Sequence, residues 1–164
     1  MTIRLATSLD ATRWRDMQAA FFASAGLEFR VPTLTRLRAR FRQPNIIAIV
    51  DENGICEVKV SEHGREIRVE LLLPQGQDRK FLFPVLAGAI VETARRYPAA
   101  LDWRVWAAFI AGKDAADLPD GGRGECLAWQ EFFPDSDVAE DGGGWYIEST
   151  LRRLLATQRP TGVR

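Results

Sequence analysis

A chain of 164 residues with 46% hydrophobic content is long enough for one packed core and short for two, so a single domain over residues 1–164 and a single site are expected. No run approaches the roughly 20 apolar residues that span a bilayer, and the amino terminus lacks a charged start, apolar run and small-residue cleavage site. A cytoplasmic protein with no membrane partner is the expectation. The 22 basic and 22 acidic side chains cancel, which withholds the basic balance that nucleic-acid binding draws on.

The cancellation hides a segregation. Residues 1–43 carry a net charge of +5, and residues 114–141 carry −8. One pole attracts anions and the other repels them, and the two are complementary surfaces for a homo-oligomer or a protein partner. Cys56 and Cys126 stand far apart with no neighbouring cysteine or histidine, so they read as small buried hydrophobes and point to neither a disulfide nor a metal site.

In chain order, "TIRLA" reads as a short strand. Ser8 or Asp10 then caps a helix over about residues 10–25, with Trp14, Met17 and Phe21 at a spacing of three to four. Pro32 and Thr33 open a second helix, in which Leu34, Leu37 and Phe41 repeat at helical period. Arg36 and Arg40, and Arg38 and Arg42, form two basic rows on its other sides, which read as a solvated face.

The stretch "NIIAIVDENGICEVKVSEHGREIRVELLL" is three strand-like runs separated by Asn53-Gly54 and His63-Gly64. It predicts an antiparallel meander over residues 45–73, with Gly54 at positive φ. His63, the one histidine, falls at a turn tip, where neither catalysis nor metal binding is expected. Residues 79–97 read as a helix through Leu82, Val85, Leu86, Ala89 and Ile90, with Pro84 in the first turn. "RVWAAFIA", residues 104–111, is a short apolar run that suits a central strand covered on both faces. Residues 125–133 form a short amphipathic helix between loops at 112–124 and 134–144. The last apolar stretch, 145–155, fits a helix through Ile147, Leu151, Leu154 and Leu155, and equally the inward face of a strand through Trp145, Ile147, Leu151 and Leu155.

The segment "LLLPQGQDRKFLFP", residues 71–84, joins an apolar strand to a helix through a turn with a glycine and two cations. Helix starts of this kind offer unpaired N–H groups and a positive dipole end to anions. The element order, with this turn after the fourth strand, resembles the GNAT superfamily of acyl-CoA N-acyltransferases. The resemblance implies an α/β (α+β) fold, a mixed and mainly antiparallel sheet flanked by helices. It implies acetyl-CoA or another acyl-CoA as cofactor, held between splayed fourth and fifth strands by Leu72, Leu73, Gln75, Gly76, Gln77, Arg79 and Lys80.

The family's Gln/Arg-x-x-Gly-x-Gly/Ala motif is not met in either register. From Gln75 its glycine positions fall on Asp78 and Lys80, and from Gln77 on Lys80 and Leu82. By the same resemblance, Glu70 on the fourth strand is the general base that deprotonates an amine, and Tyr146 is the acid that protonates the leaving thiolate. The usual tyrosine position on the fourth helix is held by Cys126, Trp129 or Phe132. The acceptor is then a small amine or a protein amino terminus. A non-catalytic structural or assembly protein of the same fold is the alternative that the degenerate turn leaves open.

Overall fold

The computed structural model describes residues 3–24, 26, 28, 30–74, 82–107, 120–142 and 144–157. Its centre is a seven-stranded sheet: β1 (Arg4–Leu5), β2 (Ile46–Val50), β3 (Gly54–Ser61), β4 (Glu66–Pro74), β5 (Arg104–Ala107), β6 (Asp137–Asp141) and β7 (Gly144–Thr150). The spatial order is β1-β2-β3-β4-β5-β7-β6. Every pairing is antiparallel except that of β4 with β5. The parallel pair needs a crossover, which α3 (Leu82–Arg96) provides.

One face of the sheet is covered by α1 (Ala11–Ser24) and α2 (Leu34–Phe41). Trp14, Met17 and Leu37 pack there on Ile46, Ala48, Val50, Ile55 and Leu73. Alternate residues of the same strands, Ile47, Ile49, Cys56 and Val58, turn to the opposite face and meet Val85, Leu86, Ala89 and Ile90 of α3. That second layer is completed by α4 (Arg123–Phe132), through Cys126 and Trp129, and by α5 (Leu151–Thr157), through Leu151 and Leu154. Period-2 strands and period-3.6 helices thus divide one chain into two cores on either side of the sheet. Among the described residues no helix is long and apolar enough to cross a membrane.

Several local expectations are corrected. The cap before the first helix is Thr7, not Ser8 or Asp10. Residues Ser8–Asp10 form a 3-10 turn that leads into α1, and Asp10 closes a capping box by accepting from the Thr7 backbone N–H at 2.8 Å. Gly54 is not at positive φ. Asp51 makes the turn instead, its carboxylate accepting from the N–H groups of Asn53 (2.7 Å) and Gly54 (2.9 Å). At the second turn the left-handed residue is Arg65 (φ 49°), not Gly64.

The described part of β5 is buried on one face only, since Val105 and Ala107 point inward while Arg104 is exposed and Trp106 half-buried. The segment 134–144, expected as a loop, holds strand β6, because "DVAED" pairs along β7 in spite of its acidity. The ambiguous stretch 145–155 is both things in turn: β7 ends at Thr150 and α5 begins at Leu151. His63 lies exposed in the turn between β3 and β4, and both cysteines are buried and free.

Candidate functional site

The register of β3 against β4 contains one irregularity. Glu57 faces Leu71 and Val58 faces Val69, so Glu70 is an extra residue on β4, a β-bulge. In a regular strand neighbouring side chains point to opposite faces. Here the bulge puts Glu70 and Leu71, consecutive residues, on the same side, where both line a cavity of about 480 Å³ beneath α1 and α2. The parallel pairing of β4 with β5 is described as far as Val69 opposite Ala107, one residue before the bulge, while β4 itself runs on to Pro74.

The cavity has an apolar body and a charged floor and rim. Trp14, Phe21 and Phe22 come from α1, and Leu71 and Leu73 from β4. Charges come from Arg30 in the connection between α1 and α2, from Arg36 and Arg40 on α2, and from Glu57 and Glu70 on the sheet. Glu57 is 5% exposed, and a carboxylate at that depth needs a partner. Arg40 supplies it: Nε donates to both carboxylate oxygens at 2.8 and 2.9 Å, and Nη2 donates to Oε1. Those hydrogen bonds hold the Arg40 guanidinium above its ordinary pKa, and the charge of Glu70 adds to the effect.

Glu70 has no such clamp. Arg68 Nη1 approaches it at 3.5 Å, the outer limit of a hydrogen bond. Arg68 is in turn engaged above the ring of Trp106, with its guanidinium carbon 4.1 Å from the ring centre. Two further polar atoms belong to cavity-lining residues and are buried without a hydrogen-bond partner: the donor Nε1 of Trp14 and the acceptor Oε1 of Gln18.

Tyr146 is not among the cavity-lining residues. It stands on β7, in register with Ala139 and next to Glu148, whose neighbour across the ladder is Trp106. Alternation places it on the same face as Trp106, two strands from Glu70 with β5 between. Leu73 lines the cavity, whereas Leu72 points into the core on the α3 side. Gln75, Gly76, Gln77, Arg79 and Lys80 lie outside the described residues, as do Asp78 and Phe81. Cys126 and Trp129 of α4 are wholly buried in the α3-side core, and Phe132 stacks on Phe83, so none of the three faces the cavity. Burial raises the Cys126 thiol to about 12 and pushes Cys56 up as well, so neither is a nucleophile near neutral pH.

Sequence reasoning found Glu70 but passed over Glu57, Gln18, Phe22 and Arg30. Glu57 had a readable signal: a lone acid within the apolar run "ICEVKV" that pairs with a basic helix. The row of Arg36 and Arg40, read as solvated, lines the cavity, with Arg36 exposed and Arg40 half-buried; Arg38 and Arg42 are exposed and do not line it.

The sequence matches no protein-family model and no curated protein. Solved structures do match. An aminoglycoside 6'-N-acetyltransferase from Enterococcus faecium superposes over 92% of this chain and 97% of its own, with a TM-score of 0.63 at 10% identity. A PaiA N-acetyltransferase from Thermoplasma acidophilum, in complex with coenzyme A, covers 91% and 98%, with a TM-score of 0.56 at 12% identity. An N-acetylglutamate synthase from Neisseria gonorrhoeae, complexed with coenzyme A and N-acetyl-glutamate, gives 0.57 at 15% identity over 92% of this chain and 35% of that one. The chain has the GNAT fold. At such identities the GNAT likeness fixes the architecture, and the chemistry must be argued from the site.

Proposed function

We propose that the protein is an acyl-CoA-dependent N-acyltransferase whose acceptor amine occupies the cavity between α1, α2 and β4. The observation that carries this reading is the bulge at Glu70. It sits one residue past the described β4–β5 pairing and turns a carboxylate, whose contact with Arg68 is a long 3.5 Å, into a partly open, largely apolar space. The three N-acetyltransferase neighbours, two of them holding coenzyme A, support acyl-CoA as the donor. The residues fit such a group as far as they are described: β4 runs to Pro74, and its Leu72 is packed into the core and holds the strand in place. Bound acyl-CoA supplies an activated thioester carbonyl. Acetyl-CoA is the simplest donor, and Gln75 to Lys80 with Leu72 and Leu73 are the segment assigned to hold it.

The chain's own residues do the rest. A protonated amine entering the cavity leaves water for walls made by Trp14, Phe21, Phe22, Leu71 and Leu73. That favours its neutral form. Glu70 orients the amine and takes its proton, directly or through one water, so that the nitrogen lone pair is free to attack. Arg40 keeps Glu57 occupied, which leaves Glu70 as the carboxylate available to the amine. Tyr146, across β5 on the same face, is assigned as the acid for the departing thiolate. With both thiols buried and protonated, transfer is direct and has no cysteine acyl intermediate.

Thermal-shift measurements with coenzyme A and acetyl-CoA test the first step. A ligand at about 100 times its dissociation constant adds roughly 2.7 kcal/mol of stability, and thiol release on an amine panel tests turnover. Absence of both with every acyl-CoA tried would leave a GNAT scaffold without the chemistry.

A further inference from the structure

Building on that reading, we infer that the acceptor is an amine that also carries a carboxylate on an apolar or aromatic body, such as an amino acid, and not a polyamine. The lining residues bring three arginines and two glutamates to the cavity. Arg40 and Glu57 cancel, since both Glu57 oxygens accept from Arg40. What faces a ligand is therefore one carboxylate, Glu70, and two guanidinium groups, Arg30 and Arg36.

Both arginines are exposed, and neither makes an ion pair with another of the described residues. Arg36 leaves the first turn of α2, where Thr33 accepts from its backbone N–H at 3.2 Å, so its side chain is presented from a fixed helix start. A ligand with two or more ammonium groups could pair one with Glu70 and would hold the others against Arg30 and Arg36. A ligand with one ammonium and one carboxylate answers both signs, because a planar guanidinium donates in pairs to a carboxylate. The aromatic walls set the body between the two charges.

The test compares acceptors that share a body and differ in the carboxylate: phenylalanine with phenethylamine, tryptophan with tryptamine, 6-aminohexanoate with hexylamine, and spermidine as the polycation. Acetyl transfer is followed by thiol release from acetyl-CoA, and binding of each compound to the protein is followed separately by calorimetry. The carboxylate-bearing member of at least one pair should have a kcat/KM about tenfold or more above its partner, carried by KM, with spermidine the poorest. Arg30→Ala and Arg36→Ala should collapse that ratio. Arg38→Ala, on the exposed side of α2, should leave the ratio in place.

Equal kcat/KM across every pair, or a preference for spermidine, overturns the inference and leaves acyl transfer standing. If no amine turns over and coenzyme A does not bind, the acyltransferase reading falls, and calorimetry then decides the ligand class alone. Binding of a carboxylate-bearing compound that is lost in the Arg30→Ala/Arg36→Ala double variant upholds it, and no binding overturns it.

Discussion

Arg40 and Glu57 form a bidentate ion pair at the base of the cavity, between the last turn of α2 and the middle of β3. The pair ties helix to sheet at the point where the bulged strand passes, so it fixes the cavity wall beside Glu70.

Removing one partner leaves the other charge partly desolvated. Arg40→Met and Glu57→Leu should each destabilise the protein by about 1–3 kcal/mol, and the double replacement Arg40→Met/Glu57→Leu should cost less than the sum of the single changes. Urea denaturation of the four proteins in the cycle measures the coupling. Additive losses would mean that the pair is solvated and does not brace the wall.

A second ion pair sets the response to acid. Asp10 accepts from Arg4 at 2.7 and 2.8 Å and from the Thr7 N–H at 2.8 Å. Chiefly through the Arg4 hydrogen bonds, its carboxyl is lowered to about 2. Since the folded value lies below the unfolded one, the stabilisation is present above about pH 4 and is lost as pH falls toward 2. Glu92, held by Arg95 and Arg96, is likewise lowered to about 2 and acts in the same window. Asp10→Asn should therefore flatten the loss of Tm between about pH 5 and pH 2. An unchanged acid limb in that variant would show that Arg4 and Asp10 do not pair in solution.

The hairpin turn gives a third case. Asp51 is 5% exposed, and its Oδ1 accepts two backbone N–H groups. Asp51→Ala should destabilise the protein by about 1–2 kcal/mol, whereas Gly54→Ala, at a position without positive φ, should cost under about 1 kcal/mol. If thermal melts give the opposite ranking, the turn depends on glycine after all.

The meander, the helices and their buried faces were legible because each shows one uninterrupted period: two in Ile47–Ile49 and Cys56–Val58, about 3.6 in Val85–Ala89–Ile90. Strand β6 was not, because its burial is slight and its apolar content is one valine and one alanine; what makes it a strand is β7 beside it. Thr7 was missed as a cap because the 3-10 turn moves the helix start upstream of the first periodic residue. In the candidate site Glu70 was visible as a strand carboxylate. The bulge that turns it and Leu71 to one face was not, since register is a property of two strands and "RVELLL" alone carries no mark of it. The basic row of Arg36 and Arg40 was visible too, but whether a helix row meets solvent or a cavity depends on how α2 rolls on the sheet.

The last prediction concerns the two residues assigned to proton transfer, and it separates their roles. Glu70→Gln keeps the shape of the bulged strand and the hydrogen-bonding reach of the side chain while removing its charge. It should lower kcat for amine acylation by about 10²- to 10⁴-fold, the range usual for a general base. The loss should shrink as pH rises, because more of the amine is then already deprotonated. Tyr146→Phe removes a proton donor two strands away that does not line the acceptor cavity. Its effect should fall on kcat with the amine KM unmoved, and it should weaken when a thioester with a more acidic leaving thiol replaces acetyl-CoA. Steady-state kinetics from pH 6 to about 10 on both variants, with circular dichroism to confirm folding, make the comparison. A Glu70→Gln variant with wild-type kcat at neutral pH would remove Glu70 as the base, and a Tyr146→Phe variant that changed only the amine KM would place that tyrosine in acceptor binding instead.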